Sequence, residues 1–490
     1  MLAVRLAAGR RVPDVLALPV TADAVLRTVL PLDDEVAAEA AAQLADTAHT
    51  GRAGAVQALP RPLRTPRRLL LVGVGEEEQQ PPAASTGSWR AAGAAVVRNS
   101  GRATSITFAL PPDAEPELVQ AVAEGAWLAA YRYRLAAESP DSQPKLERLT
   151  LLVDEPDRFG GALAAARAVV DATTLARDLT NTSSQTKTPA WFAERIGEAA
   201  AGHPGLTLTV RDPEELAAGG FGGILAVGSG STRGPRLVEL SWQPEGAHTH
   251  VVLVGKGITF DTGGICIKTR EGMKLMRKDM AGAAAVSAAT VGAAALGLPV
   301  RVTALAPLAE NMVSGTAYRP GDVIRHYGGL TTEVLNTDAE GRVVLADALA
   351  YAAARLEPDV IVDLATLTGA ATVALGKQTG AIYSENDAVA KALVDAGEAV
   401  GERLWRMPLI EDYVPAIASE VADFNNSADI GAGSVTAALF LREFVGAARD
   451  RWVHLDMSAP AWSDSADGEL AKGATGFGVR TLLRWLATLD

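Results

Sequence analysis

Short apolar runs of strand length alternate with alanine-rich stretches of helical length along most of this chain, and no other feature limits its fold as tightly. Strand-like runs fall at residues 69–72, 105–109 and 149–153, and again at 206–210, 250–254, 300–306 and 360–364. Between them, Leu118, Val122, Trp127 and Tyr131 mark one face of a helix over 117–133, and further helices are expected at 158–179, 281–296 and 342–356. This alternation predicts an α/β fold whose sheets are mostly parallel or mixed and flanked by helices. A chain of 490 residues is longer than one core uses. The expected division is an N-terminal α/β domain at 1–155, a linker helix and loop at 156–182, and a larger C-terminal α/β domain at 183–490. Thr188 and Pro189 supply a helix start just past the linker.

Composition removes several classes of function. Hydrophobic residues make up 48% and charged residues 21%, which is the balance of a folded globular chain. A net charge of −13 argues against nucleic acid as the main partner. The single cysteine, Cys266, excludes an internal disulfide and suits a reducing, cytoplasmic setting. None of the six histidines is followed by Glu, so there is no H-E-x-x-H zinc helix and carboxylates must do most of the holding of any metal. Arg5, Arg10 and Arg11 break the apolar run of 1–12, against a secretory signal. The uncharged stretch 281–300 is mostly Ala and Gly, a buried helix rather than a membrane span. Residues 79–88, with Pro81 and Pro82, read as a polar loop. Gly73-Val74-Gly75 lacks the third glycine of a dinucleotide loop, Gly228-Ser229-Gly230-Ser231 reads as a turn, and Arg61, Arg64, Arg67 and Arg68 read as a solvated strand edge. His326 and His454 read as structural histidines.

The chemistry concentrates in two strings. Directly after the strand at 250–254 comes Gly255-Lys256-Gly257-Ile258-Thr259-Phe260-Asp261-Thr262-Gly263-Gly264, whose glycines mark a backbone that passes close to something. Lys268 and Asp279 follow, and Asn336-Thr337-Asp338-Ala339-Glu340-Gly341-Arg342 stands just before a helix. Asp338 and Glu340, two apart, can face one side of an extended or loop backbone. Asp261, Asp279, Asp338 and Glu340 carry the four negative charges that two divalent cations would neutralise. Two such ions, about 3.5–4 Å apart, would clamp an attacking oxygen and lower the pKa of a shared water. Lys268 and Arg342 would remain to meet a developing oxyanion or to hold an anionic base. The plainer alternative is ordinary ion pairs and, for Asp338, a helix cap.

Both strings closely resemble the signatures of the leucyl aminopeptidase family, the dinuclear-metal cytosolic aminopeptidases. The resemblance continues through Thr366-Leu367-Thr368-Gly369-Ala370 and Lys472-Gly473-Ala474-Thr475-Gly476, and so covers roughly residues 175–490. It implies a metal-dependent exopeptidase, with the larger C-terminal domain catalytic, that removes a leucine-like N-terminal residue from peptides with a free N-terminus. Asp261 and Glu340 would bridge two divalent ions per subunit, Zn or Mn, with Co or Mg also compatible. Lys256 and Asp279 would complete the tighter site, and Asp338 the more exchangeable one. Lys268 would polarise the scissile carbonyl, and Arg342 would hold a bicarbonate-like anion acting as base on the water between the metals. Met276, Asn336, Thr366, Leu367 and Gly369 would line the bound N-terminal residue. The resemblance further implies a homohexamer. Thr262 and Cys266 stand where serine is usual, Arg277-Lys278 is a more basic pair than common, and Ala459-Pro460 replaces a usual glycine and its neighbour. The last departure bears on the shape of the side-chain pocket.

Two other readings stay open at this level. Acid clusters of this type also serve two-metal phosphoesterases. An acidic scaffold could also bind DNA through the arginine run at 61–68.

Overall fold

The computed structural model describes residues 2–9, 13–75, 82–136 and 146–490. It divides into two units, Met1–Asp171 with Asp464–Lys472, and Ala172–Ser463 with Gly473–Asp490. The division falls inside one continuous helix, Gly160–Asn181, and nothing in the sequence marks 464–472 as part of the first unit.

The first unit is built on six strands: β1 (Ala3–Ala7), β2 (Val15–Thr21), β3 (Val56–Pro60), β4 (Arg68–Gly75), β5 (Ser105–Ala109) and β6 (Arg148–Leu152). Their order is β1-β6-β5-β2-β4-β3, parallel throughout except for β3 against β4. Alternate residues of the central strands feed opposite faces. Leu16, Leu18, Leu69 and Leu71 join one apolar cluster, while Ala17, Leu70 and Val72 join the other. Burial on both faces explains why these strands read as continuous apolar runs.

Three local expectations change here. The helix Pro82–Arg98 occupies most of the expected loop at 79–88, because proline is tolerated at a first helical position; residues 79–81 lie outside the described residues. Gly73-Val74-Gly75 belongs to β4 rather than to a loop, and a Cβ on Gly73 would sit 2.1 Å from the Arg52 carbonyl oxygen. The arginine run is solvated only in part: Arg64 and Arg67 are exposed beside the edge strand β3, but Arg61 is not. Arg61 is only 4% exposed, Arg61 and Arg64 both pair with Glu35 and Glu39, and Arg68 donates to the carbonyls of Asn99 and Ser100. Glu35 and Glu39 offset the charge of Arg61 and Arg64.

The second unit contains β7 (Leu206–Arg211), β8 (Arg236–Trp242), β9 (His250–Gly255), β10 (Gly257–Asp261), β11 (Arg301–Asn311), β12 (Val323–Arg325), β13 (Thr331–Glu333), β14 (Val360–Ala365), β15 (Gly380–Ser384), β16 (Leu404–Arg406), β17 (Phe424–Asn425) and β18 (Trp452–Asp456). The main sheet runs β16-β15-β18-β14-β9-β11-β8-β7, with β10 paired to β11 and a small separate sheet β12-β13-β17. Its centre, β18-β14-β9-β11, is parallel, and β8 and β15 join it antiparallel. The mixed sheet agrees with the sequence expectation, and the carboxyl ends of the parallel strands open onto one edge where the motif residues gather.

The helix Ala281–Leu296 is buried continuously from Ala281 to Ala293, as expected for a core helix made of small residues. Small size matters most at its start. The Lys256 N–H donates to the Leu364 carbonyl (2.9 Å), and the Ala283 N–H donates to the Lys256 carbonyl (2.9 Å). The turn between β9 and β10 is thereby pinned to β14 and to the helix. A Cβ on Gly282 would lie 2.1 Å from the Leu364 carbonyl oxygen. Gly282→Ala should therefore lower stability by about 1–3 kcal/mol through overpacking, read as a lower midpoint in urea unfolding. An unchanged midpoint would mean that this contact is not tight.

Candidate metal centre

Each acidic side chain reaches the site for a local structural reason. Asp261 ends β10, a strand that leaves the line of β9 to pair with β11. The chain then turns through Gly263 and Gly264 at φ +86° and +64°, left-handed values that favour glycine. Asp279 follows the 3₁₀ turn Met276–Lys278, and Glu340 is the first residue of the helix Glu340–Arg355. No side-chain hydrogen bond caps that helix, so Asp338 is not its cap. Gly341 has a steric reason as well: a Cβ there would lie 2.4 Å from Cε of Lys256.

The cluster interleaves acids with two ammonium groups. Lys256 Nζ stands 2.8 Å from Asp279 Oδ2 and 2.8 Å from Glu340 Oε1, and donates to the Thr366 carbonyl at 3.1 Å. Lys268 Nζ lies between Asp261 Oδ2 (2.8 Å) and Asp338 Oδ1 (2.5 Å). Carboxylate oxygens of Asp261, Asp338 and Glu340 lie within 4.8 Å of one another. Glu340 Oε2 is buried and accepts no hydrogen bond. Arg342 is 8% exposed and its Nε likewise has no partner.

Burial dominates the electrostatics. It raises the Glu340 pKa to about 8, helped by the charge of Asp261 and opposed by Lys256. It also raises Asp279 and Asp338 above the usual carboxylate range, against the pull of Lys256 on the first and Lys268 on the second. For Lys256 burial acts in the lowering direction, but Asp279, Glu340 and Asp261 together outweigh it and leave the ammonium strongly favoured. Lys268 behaves in the same way, held up mainly by Asp261 and Glu340. Burial lowers Arg342 to about 10. A packed set of four carboxylates with only two ammonium groups among them, one carboxylate oxygen unpartnered, fits hard oxygen-preferring divalent cations.

The structure brings Lys256, Asp261, Lys268, Asp279, Asp338 and Glu340 into one contact network. Thr366 joins them: its Oγ1 donates to Asp279 Oδ1 at 2.8 Å. Leu367 is half-buried beside it, and Gly369 is exposed at the start of the helix Gly369–Leu375. Met276 opens the turn before Asp279, while Asn336 Oδ1 accepts from the Asp338 N–H at 2.8 Å. His326 and His454 are buried against Asp347 and Asp363, as structural histidines.

Two residues given no role from sequence matter here. Asn311, at the end of β11, donates from Nδ2 to Asp261 Oδ1 and to the Thr337 carbonyl, both at 2.9 Å. Asp456, at the end of β18, accepts from the N–H groups of Leu367, Thr368 and Ser458 and from the hydroxyls of Thr368 and Ser458. The available signal was position, since both are polar residues closing apolar strands at the reactive edge of the sheet.

Fold and site define a metallohydrolase of the carboxylate-held, two-domain α/β type. Residues 174–483 match the catalytic domain of the cytosol aminopeptidase family, and residues 17–136 match that family's N-terminal domain. A "Probable cytosol aminopeptidase" of Micrococcus luteus is 45% identical over 483 residues, covering 94% of this chain and 92% of its own. One of Streptomyces avermitilis is 47% identical over 402 residues, covering 81% and 77%. Among solved structures, the bottromycin maturation enzyme BotP superposes with a TM-score of 0.82 at 40% identity, covering 97% of this chain and 99% of its own. A lysine-to-glutamate mutant of tomato leucine aminopeptidase superposes with a TM-score of 0.85 at 32% identity, covering 99% and 97%. The chain belongs to the cytosol (leucyl) aminopeptidase family, M17, whose members are dinuclear-metal exopeptidases acting on peptides.

Metal uptake should release protons. Below about pH 8 the Glu340 carboxyl retains a proton that a cation must displace, so affinity for Mn²⁺ should rise as pH climbs through that value. Calorimetric titration in buffers of different ionisation enthalpy should find more protons released per ion at about pH 7 than at about pH 9. Equal uptake without proton release would contradict the charge state described here.

Proposed function

We propose that this aminopeptidase prefers a leucine-like N-terminal residue and divides the chemistry among its side chains as follows. Lys256, Asp261, Asp279, Asp338 and Glu340 would together hold two divalent ions. When bound, these ions supply Lewis acidity that activates a water and binds the substrate's free α-amine. The interleaving of Asp261, Asp279, Asp338 and Glu340 around Lys256 and Lys268 is the observation that carries the assignment. Zn and Mn both suit this donor set, and the BotP relative is known in a complex with Mn.

Lys256 must give up its proton to act as a ligand, and two adjacent dications provide the repulsion for that. Lys268, the less buried ammonium, would stabilise negative charge developing on the scissile carbonyl oxygen, a role that its partial exposure supports. Arg342 is a nearly buried guanidinium for which no carboxylate partner is seen among the described residues, which supports a bound anion of bicarbonate type serving as proton acceptor. Thr366, Leu367 and Gly369 would form the wall beside the N-terminal residue, and Met276 and Asn336 would also line it. Asp456 supports this by fixing the backbone of Leu367 and Thr368. A homohexamer in the cytosol completes the proposal; it rests on the family resemblance and on relatives named cytosol aminopeptidases.

Release of p-nitroaniline from leucine p-nitroanilide should require added Mn²⁺ or Zn²⁺ after chelation and should vanish when the substrate's α-amine is acetylated. Lys268→Met should lower kcat about 10²–10³-fold, as for loss of an oxyanion donor, with two ions still bound. Near-normal kcat in that variant would remove Lys268 from the chemistry. Faster turnover of alanine or arginine analogues would remove the leucine preference.

A further inference from the structure

We infer that Lys187 is a positioning residue of the metal centre, its side-chain amine holding in place the turn that delivers Asp279. Lys187 is 0% exposed, and its surroundings supply burial and the repulsion of Arg277 but no compensating acid. Its Nζ donates instead to two main-chain carbonyls, Thr180 O at 3.0 Å and Arg277 O at 2.6 Å.

Both acceptors are helix-end carbonyls. Thr180 is the penultimate residue of the helix Gly160–Asn181, where the last four carbonyls have no partner within the helix. In the turn Met276–Lys278, the Leu275 carbonyl accepts from the Lys278 N–H (2.9 Å) and the Met276 carbonyl from the Asp279 N–H (3.2 Å). The Arg277 carbonyl is left for Lys187. The negative end of the helix Gly160–Asn181 and the free Arg277 carbonyl explain how an amine is accommodated there without a carboxylate.

The consequence lies two residues further on. Lys278 Nζ also donates to the Ser458 carbonyl at 2.6 Å. A main-chain contact and a side-chain contact thus hold the turn immediately ahead of Asp279. Only with that turn fixed does Asp279 meet Thr366 Oγ1 and Lys256 Nζ, both at 2.8 Å. Replacing Lys187 by an apolar side chain would leave two buried carbonyl oxygens unpaired and free the turn to move.

The inference rests on Asp279 being a metal ligand, so the test begins with the full-length wild type, which should bind two Mn²⁺ per chain by calorimetry. If it does not, the reading of the metal centre fails, and this inference with it. Lys187→Met keeps a similar length without donors. One of the two ions should then bind about 10–100-fold more weakly, with kcat on leucine p-nitroanilide at subsaturating Mn²⁺ falling and KM changing little. Lys187→Gln restores two N–H donors on a chain one atom shorter and should recover part of the affinity. If Lys187→Met does not fold, Lys187→Gln carries the test and should bind one ion several-fold more weakly than wild type. A lower melting temperature with both ions held at wild-type affinity, in whichever variant folds, would make Lys187 merely structural and overturn the inference.

Discussion

Carboxylates buried together repel one another and resist ionisation, and in this chain Asp261, Asp279, Asp338 and Glu340 are drawn into one pocket. Lys256 and Lys268 lie between them and offset part of that repulsion. The rest is held as strain in protonation: burial and mutual repulsion leave Glu340 with a pKa of about 8. A site that costs this much to assemble implies a cationic occupant, and much of the second unit serves to keep the acids together.

That service is mostly backbone work at the carboxyl edge of the sheet. The turn between β9 and β10 is clamped by the Leu364 carbonyl and by the start of the helix Ala281–Leu296, with glycine required at 282 and 341 by close approach. Asn311 ties Asp261 to the loop before Glu340, and Asp456 ties the loop after β14 to the end of β18. Asp261 and the loop before Glu340 are thus tied to the end of a buried strand, which lends a loop-borne cluster some of the precision of the sheet.

Much of this was legible in the sequence. The strands at 250–254 and 360–364 were readable because a sheet covered on both faces leaves continuous apolar runs, whereas 105–109 and 206–210 were readable from apolar residues that alternate with Ser or Thr. The acids and lysines were readable mainly because the two strings that carry most of them resemble the leucyl aminopeptidase signatures; spacing alone left ordinary ion pairs and a helix cap open. Less legible was anything set by contacts between distant segments. The burial of Arg61 was not readable because its partners, Glu35 and Glu39, lie more than twenty residues away on a helix. Residues 82–88 looked like loop because proline and serine are loop-forming in general, although proline also starts helices. Asn311 and Asp456 were passed over because their value comes from which backbone groups the fold brings to them.

The central claim is that the four acids are assembled to hold two divalent cations. Crystals grown with Mn²⁺ and measured on both sides of the manganese absorption edge test it most directly. The account predicts two anomalous peaks per chain among Asp261, Asp279, Asp338 and Glu340, with Lys256 Nζ coordinated to one of them. A single peak, or peaks away from these residues, would contradict it.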